Sequence, residues 1–587
     1  MYSNYRSIQI LICLLKKYNI SDIVLSPGGS DIPLIHSIET DDFFECYSVV
    51  DERSAAYYAM GIAQTKNRAV ACICTSGSAV CNYLPGITEA FYQGVPIVAI
   101  TADKNAYYQG QLEIQKIEQT TVFNGVVKKS VELPMVKNDE DEWLCNRLVN
   151  EALLDLYHHG SGPVHINVPI VGTYNIYDCA ELPDQRKIVI HDSVSENNLW
   201  KSAAKSLSKF KRILVVVGQN VVFDEFDILN LNRFFQKYNC VYSTEHLSNL
   251  DCDGTVNTYP ISEVMGTPVL NKLKPDLVIS IGNNLSAYKL KPFLRANYKS
   301  TINWLISESG EVRDAYKCLA EIFECSVSEF FKKASEFAPE DAKNSKEYYD
   351  LWQTTLSKLD RKEFEFSNLY VAQKLAKVIP ENSILHTAIL NSTRIMQFFD
   401  LAKGVRTFSN VGTLGIDGCF STFAGAAAAT DKLAYLLIGD LSFFYDMNAA
   451  GLRSIGANVR VILLNNGGGS EFHFFMGRDK IPTLDSYICA EHSKKAEGWI
   501  KSLGYDYYSA TNKEELDAVI GKFGRKSDRP MFLEIFTRME DDAKKTKKFY
   551  CENESLSADD KFKNFMKTIV SESHMKKVKK IVKSIKS

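Results

Sequence analysis

Short apolar runs, each ending in a polar or glycine-bearing cluster, recur along this chain and alternate with stretches of helical periodicity. In the first third, Asp22–Leu25 leads into Ser26-Pro27-Gly28-Gly29 and Tyr47–Val50 into Asp51-Glu52-Arg53. Ala69–Cys74 leads into Thr75-Ser76-Gly77-Ser78, and Ile97–Ile100 into Thr101-Ala102-Asp103. Helical patterns over Ala55–Gln64 and Ala79–Tyr92 lie between them, and Pro163–Pro169 supplies a closing strand. Val/Ile-rich runs without in/out alternation suit strands buried on both faces, and strand-then-helix order makes a parallel sheet covered on both sides. The pattern repeats twice. Ile213–Val217 and Leu277–Ile281 belong to a second unit, and Ser383–Thr387, Leu433–Ile438, Val459–Leu464 and Met531–Ile535 to a third. The fold class expected is α/β, with three doubly wound parallel-sheet domains.

The most informative stretch is Ala434–Ser442 continuing to Val459–Gly469. Two buried-strand patterns end in Gly439-Asp440-Leu441-Ser442 and in Asn465-Asn466-Gly467-Gly468-Gly469, and the segment Tyr445–Ile455 between them is long enough for one crossover helix. In such a βαβ unit both strand ends emerge on the same sheet edge, so Asp440 and the asparagines converge where ligands bind. A carboxylate, an amide oxygen and a backbone carbonyl are hard oxygen ligands. They suit Mg²⁺, which completes its octahedron with water and phosphate oxygens.

Size implies several cores: 587 residues exceed what one domain accommodates. Boundaries are expected at 1–185, 195–335 and 348–540, with linkers near Asp184–Asn198 and Lys332–Lys346, and a basic C-terminal tail at 541–587. A formal net charge of −3 argues against nucleic acid as a partner. No apolar run is long enough to span a membrane. Ile8–Leu15 is short and followed by Lys16-Lys17, so it reads as a buried helix rather than a signal peptide. The 14 cysteines include no Cys-x-x-Cys pair, which suits a reduced cytoplasm. In the tail, Val578, Ile581, Val582 and Ile585 stand at helical spacing among lysines. A solvated helix is one reading of it, and a weak contact with an anionic membrane surface the other.

Gly439-Asp440 followed by Asn465-Asn466 resembles the signature of thiamine-diphosphate (ThDP) enzymes, with Leu441 where most members have a second glycine. The three domains are then pyrimidine-binding, central and diphosphate-binding. In that family a glutamate on the pyrimidine-binding domain hydrogen-bonds the aminopyrimidine ring and promotes the tautomer that takes the C2 proton. Glu52 fits, between a strand end and a helix start that favours a carboxylate.

The likeness narrows to the SEPHCHC synthases, ThDP-dependent carboligases of menaquinone biosynthesis. It rests on Ser26-Pro27-Gly28, Asp51–Ser54, Cys74–Ser78 with Asn82-Tyr83, Thr101–Asp103, Asn391-Ser392, Gly415–Gly418, Gly439–Ser442 and Tyr445-Asp446 with Asn448. The resemblance implies that Asp440, Asn466 and the Gly468 carbonyl hold Mg²⁺. It places Ser26, Pro27, Gly28, Ser76 and Asn82 on the pyrimidine side, and Asn391, Ser392, Gly439, Leu441 and Ser442 along the diphosphate. Ile416 and Phe472 form the apolar wedge that keeps the cofactor bent, and Gln115 faces the reacting carbon. A homodimer or dimer of dimers with sites between subunits is also implied.

The departures concern substrate. SEPHCHC synthases recognise 2-oxoglutarate and isochorismate, and arginine forks are the natural partners of their carboxylates. Here one such arginine becomes Ser30, with Asp31 beside it; another becomes Val411, a third Met396 with Arg394 nearby, and a fourth Lys104. Glu471 stands where the family has an apolar residue. The reading is a 2-oxo acid decarboxylating carboligase with a different donor and acceptor. The alternatives are a simple decarboxylase releasing an aldehyde and a non-catalytic ThDP-fold binding protein. A nicotinamide or flavin oxidoreductase lacks its glycine-rich pyrophosphate loop.

Overall fold

The computed structural model describes residues 1–171, 176–188, 197–220, 222–311, 313–476 and 481–554. The tail pattern at Met575–Lys586 lies outside these residues.

Among the described residues, eighteen strands form three six-stranded sheets, parallel throughout. The first contains β1 (Asp22–Leu25), β2 (Glu45–Ser48), β3 (Val70–Cys74), β4 (Ile97–Asp103), β5 (Ser130–Glu132) and β6 (Val164–Pro169). The second contains β7 (Ile213–Val217), β8 (Cys240–Thr244), β9 (Thr255–Asn257), β10 (Leu277–Ile281), β11 (Ile302–Ile306) and β12 (Leu319–Phe323). The third contains β13 (Ile384–Thr387), β14 (Arg406–Phe408), β15 (Ala434–Gly439), β16 (Val459–Asn465), β17 (Asp506–Ala510) and β18 (Met531–Phe536). Strand orders are β2-β1-β3-β4-β6-β5, β12-β11-β10-β7-β8-β9 and β14-β13-β15-β16-β18-β17. The first and third sheets therefore share one topology, with their central strands buried along their whole length.

Order reverses between β1 and β3, and between β13 and β15. The loops leaving these strands diverge there and open a crevice at the carboxyl edge, where α/β sheets bind ligands. In the second sheet the reversal falls between β7 and β10, but those loops are already engaged. Asn220 and Asn283 each donate through Nδ2 to the Gln93 carbonyl (2.8 and 2.9 Å), and Gln219 donates to the Gln93 side chain.

The first and third units share a core. The helix Glu52–Lys66 crosses the helix Cys419–Ala428, and both contribute to one apolar cluster with β3 and β15. Glu89, fully buried, accepts from the backbone N–H of Gly412 (2.9 Å) and of Thr413 (2.7 Å), tying the two units together.

Three expectations are corrected. No single crossover helix spans Tyr445–Ile455; a helix Asp440–Tyr445 is followed by a 3-10 turn Met447–Gly451. The break falls at Asp446, whose buried carboxylate is drawn onto the Ser421 amide and hydroxyl, both at 2.7 Å. The charged run beginning at Lys332 starts inside the helix Val327–Glu336, which buries Phe330, Phe331 and Ala334. The division expected at 541 falls inside the helix Met539–Asn553, which buries Met539, Asp542, Ala543 and Phe549. In the latter two cases burial of particular side chains outweighs the polar composition of the segment.

Candidate active site

On the third sheet, β15 delivers Asp440 and β16 delivers Asn465 and Asn466 to one edge. Asp440 is almost fully buried, and its Oδ2 accepts the backbone N–H groups of Asn466 (3.0 Å), Gly467 (2.8 Å) and Gly468 (3.0 Å). Oδ1 accepts only the Leu441 N–H (2.7 Å) among these contacts and so retains a lone pair. The loop can wrap the carboxylate because Gly467 and Gly468 take φ of 86° and 150°, which side chains disfavour. A β-carbon on Gly468 would also stand 2.6 Å from the Cys489 carbonyl.

The two asparagines divide. Asn465 turns into the fold, donating to Glu534 (2.7 Å) and to the Lys494 carbonyl (2.9 Å). Asn466 donates its amide N–H to Asp542 (3.1 Å), leaving its amide oxygen for a ligand. Burial pushes the Asp542 carboxyl up to about 6. His492 lies beside them, its Nε2 buried without a hydrogen-bond partner and 3.5 Å from Asp440 Oδ2. A cavity of about 340 Å³ opens here, lined by Asn466, Gly467, His492 and Arg538 among others. One carboxylate oxygen, one amide oxygen and the backbone of the glycine run form a hard donor set, and the residues fit a divalent cation carrying phosphate oxygens.

Neighbouring loops bring up the other residues of this half. The helix Asn391–Met396 leaves β13, and Asn391 Nδ2 donates to Ser470 Oγ (2.9 Å) at the start of the helix Ser470–Phe475. Ser392 is buried beside it. Ser442 donates to the Ile416 carbonyl (2.9 Å), placing the loop that carries Ile416 next to Gly439-Asp440. Phe472 stands 37% exposed.

The first sheet assembles the complementary set. Ser26 donates to the Val49 carbonyl (2.8 Å), and the Ser30 hydroxyl lies 3.3 Å from that of Ser76. Gly28 approaches Thr75 so closely that a β-carbon would meet its side chain at 2.3 Å. Glu52, half-buried, accepts from Asn82 Nδ2 (3.4 Å), while Asp51 caps the helix through the N–H groups of Arg53 and Ser54. Gln115 sits in the left-handed region (φ 56°) against Gly77. Pro27 is exposed at the rim.

The two halves touch through the neighbours of Glu52. Arg53 donates to the Asp417 carbonyl and to Asp446 (3.3 Å), and Asn448 donates to Asp51 (2.6 Å). Burial pushes the Asp446 carboxyl up to about 7, against the opposing pull of Arg53.

The positions expected to meet substrate are not solvent-facing cations. Met396 and Val411 are buried. Lys104 donates to Glu113 (3.0 Å) and to the Ile114 carbonyl, and Arg394 donates to Glu471. Sequence reasoning assigned no role to four groups. His492, Asp542 and Asp446 become site neighbours through contacts between distant segments, and only Asp446 had a local signal, in the motif with Tyr445 and Asn448. The fourth is Asp31, fully buried: its Oδ1 accepts the Gly28 N–H (2.9 Å) while its Oδ2 is buried without a partner.

The sequence also matches known proteins. The family described as "Thiamine pyrophosphate enzyme, N-terminal TPP binding domain" matches residues 6–122. The 2-succinyl-5-enolpyruvyl-6-hydroxy-3-cyclohexene-1-carboxylate (SEPHCHC) synthase of Phocaeicola vulgatus is 37% identical over 94% of this chain and 99% of its own length. That of Bacteroides thetaiotaomicron is 36% identical over 94% and 99%, and that of Flavobacterium johnsoniae 30% over 92% and 97%. With a near-full-length match on top of the paired carboxyl-edge sites, the chain belongs to the thiamine-diphosphate-dependent enzymes and, among them, to the SEPHCHC synthase family.

Proposed function

We propose that this enzyme decarboxylates a 2-oxo acid and joins the remaining fragment to an acceptor, using Mg²⁺ with its thiamine diphosphate, and that its donor is less acidic than 2-oxoglutarate. Thiamine diphosphate, when bound, supplies the electron sink for the bond broken and the bond made. Asp440 Oδ1, the Asn466 amide oxygen and the Gly468 carbonyl hold the cation. Asn391, Ser392, Gly439, Leu441 and Ser442 would line the diphosphate, and Ile416 and Phe472 would pack against the cofactor. Ser26, Pro27, Gly28, Ser76 and Asn82 receive the pyrimidine. Glu52 would hold a proton against the ring of the bound cofactor, and Gln115 would face its reacting carbon.

The observation that carries the donor reading is the state of the candidate cations. Arg394 and Lys104 are each engaged by a carboxylate of the same chain, and Met396 and Val411 offer no charge at all. A charge-assisted contact contributes about 1.5–3 kcal/mol, so a donor needing several of them binds poorly here. Ser30, Lys104, Arg394, Val411 and Glu471 are accordingly the positions where this chain sets its own substrate.

A homo-oligomer with sites completed between subunits is part of the proposal. Val50, Tyr107, Leu112 and Ile114, on the segments flanking Glu52 and Gln115, are 72%, 80%, 99% and 77% exposed, an apolar surface suited to a second copy. Cytoplasmic residence is proposed as well. Among the described residues the cysteines form no disulfide and no helix is long and apolar enough to cross a membrane.

Product analysis with pyruvate, 2-oxobutyrate and 2-oxoglutarate, each with and without an acceptor aldehyde or enone, tests the reading. Preference for 2-oxoglutarate overturns the donor assignment. Aldehyde formed equally well without acceptor favours simple decarboxylation, and cofactor binding without turnover of any donor favours a binding protein.

A further inference from the structure

Arg394 and Glu471 form an ion pair in a desolvated place. Their side chains are 14% and 13% exposed, and the guanidinium carbon lies 4.5 Å from the centre of the Tyr288 ring. One helical turn before Arg394, Asn391 donates to Ser470, the residue preceding Glu471, so the helices Asn391–Met396 and Ser470–Phe475 are joined at two adjacent points. Phe472 follows Glu471 in the same helix. Withdrawing a carboxylate and a guanidinium from water is costly, and an apolar pair of similar volume would fasten two helices as well. Fastening alone therefore does not account for the charges. A second candidate cation is also engaged within the chain, Lys104 by Glu113 on the loop that carries Gln115, though in a more exposed place.

We propose that Glu471 is a specificity-determining residue: its carboxylate occupies the face of Arg394 that the distal carboxylate of a dicarboxylic 2-oxo acid would need. The chain carries its own counter-ion, and the donor pocket is left for an uncharged tail. A guanidinium whose charge is already neutralised by one desolvated carboxylate has little attraction left for a second, and two carboxylates on one cation repel each other. A dicarboxylic donor must either displace Glu471, which stays tethered and keeps competing, or bury its distal charge unpaired. This inference rests on the 2-oxo acid reading above and assigns its specificity to one pair.

The test uses the full chain loaded with thiamine diphosphate and Mg²⁺, and two readouts: binding of glutarate, an unreactive dicarboxylate, by calorimetry, and the ratio of kcat/KM for 2-oxoglutarate to that for pyruvate. Glu471→Gln is expected to tighten glutarate binding about tenfold or more and to raise the ratio similarly, as one charge-assisted contact allows. Adding Arg394→Met should erase both gains. Unchanged glutarate affinity in Glu471→Gln, or a gain that survives Arg394→Met, overturns the proposal. If Glu471→Gln folds poorly, glutarate raising its melting temperature but not the parent's supports the pair, and equal effects on both overturn it. A parent that turns over no 2-oxo acid refutes the activity reading alone, because glutarate binding is measured without turnover.

Discussion

Gly61, on the first unit, lies so close to Thr422, on the third, that a β-carbon added to Gly61 would stand 2.0 Å from the Thr422 carbonyl oxygen. The approach is reciprocal: a β-carbon on Gly425 would stand 2.1 Å from the Tyr58 carbonyl. Two helices crossing at backbone contact fix how the Glu52 edge faces the Asp417–Asp446 segment. Gly61→Ala is therefore expected to lower the melting temperature clearly, since overpacking a tight contact costs about 1–3 kcal/mol. Gly498→Ala, at a helical glycine with nothing within 4 Å, is the control and should leave it unchanged or slightly raised.

Glu52→Gln keeps the size of the side chain and its capacity to accept from Asn82 Nδ2. Affinity for thiamine diphosphate, measured by calorimetry, should stay within a few-fold of the parent. Turnover of the best donor should fall by about a hundredfold or more, a hundredfold being the lower end of what a lost acid–base group costs. Full activity in this variant removes Glu52 from the proposed chemistry.

Asp440→Asn meets a different obstacle. The parent Oδ2 accepts three backbone N–H groups, so the amide must either present its own N–H₂ to those donors or turn it toward the cation. Either choice replaces an attractive contact with a repulsive one, a loss of about 2–3 kcal/mol for a charged acceptor. Magnesium-dependent uptake of thiamine diphosphate should weaken at least tenfold, while binding in the absence of Mg²⁺ changes little.

Asp31 bears on pH. Burial, reinforced by the charge of Glu52, pushes its carboxyl up to about 7 from an ordinary value near 4. Between those values the folded chain binds more protons than the unfolded one. The stabilisation is thus fully present below about pH 4 and is lost as pH rises through about 7. Glu245 and Asp446, also pushed up to about 7 by burial, act in the same sense. Melting temperature should fall between pH 6.5 and pH 8, above the range in which His165, His246 and His386, whose burial lowers their pKa, act in the opposite sense, with a slope of at most about 1.4 kcal/mol per pH unit from any one group. Asp31→Asn, which still accepts the Gly28 N–H, should flatten part of that decline and exceed the parent at pH 8.

How far the molecule was legible from sequence depended on the range of the signal. The strand ends that matter are local features. Asp440 and Asn466 stand at the ends of apolar runs, and the glycines after Asn466 announce a loop that must bend around a ligand or a carboxylate. Glu52 is legible in the same way, as an acid between a strand end and a helix start. The Tyr445–Ile455 helix was misread because what breaks it, the pull of Ser421 on Asp446, comes from a segment 25 positions away. Asp31 is legible in sequence only as the acid beside Ser30, and the fold shows it fully buried.

By itself the sequence determined the alternation of strand and helix, the repetition of one pattern in the first and third units, and the chemistry at the strand ends. Those properties follow from residue type and spacing within short windows, where backbone sterics and apolar periodicity act. Only the tertiary structure decided that Asn465 serves the fold while Asn466 borders the site, that His492 lies against Asp440, and that Arg394 is held by Glu471 across 77 positions. Pairing between charged side chains depends on which segments the core brings together and how far it removes them from water, and no local pattern carries that information.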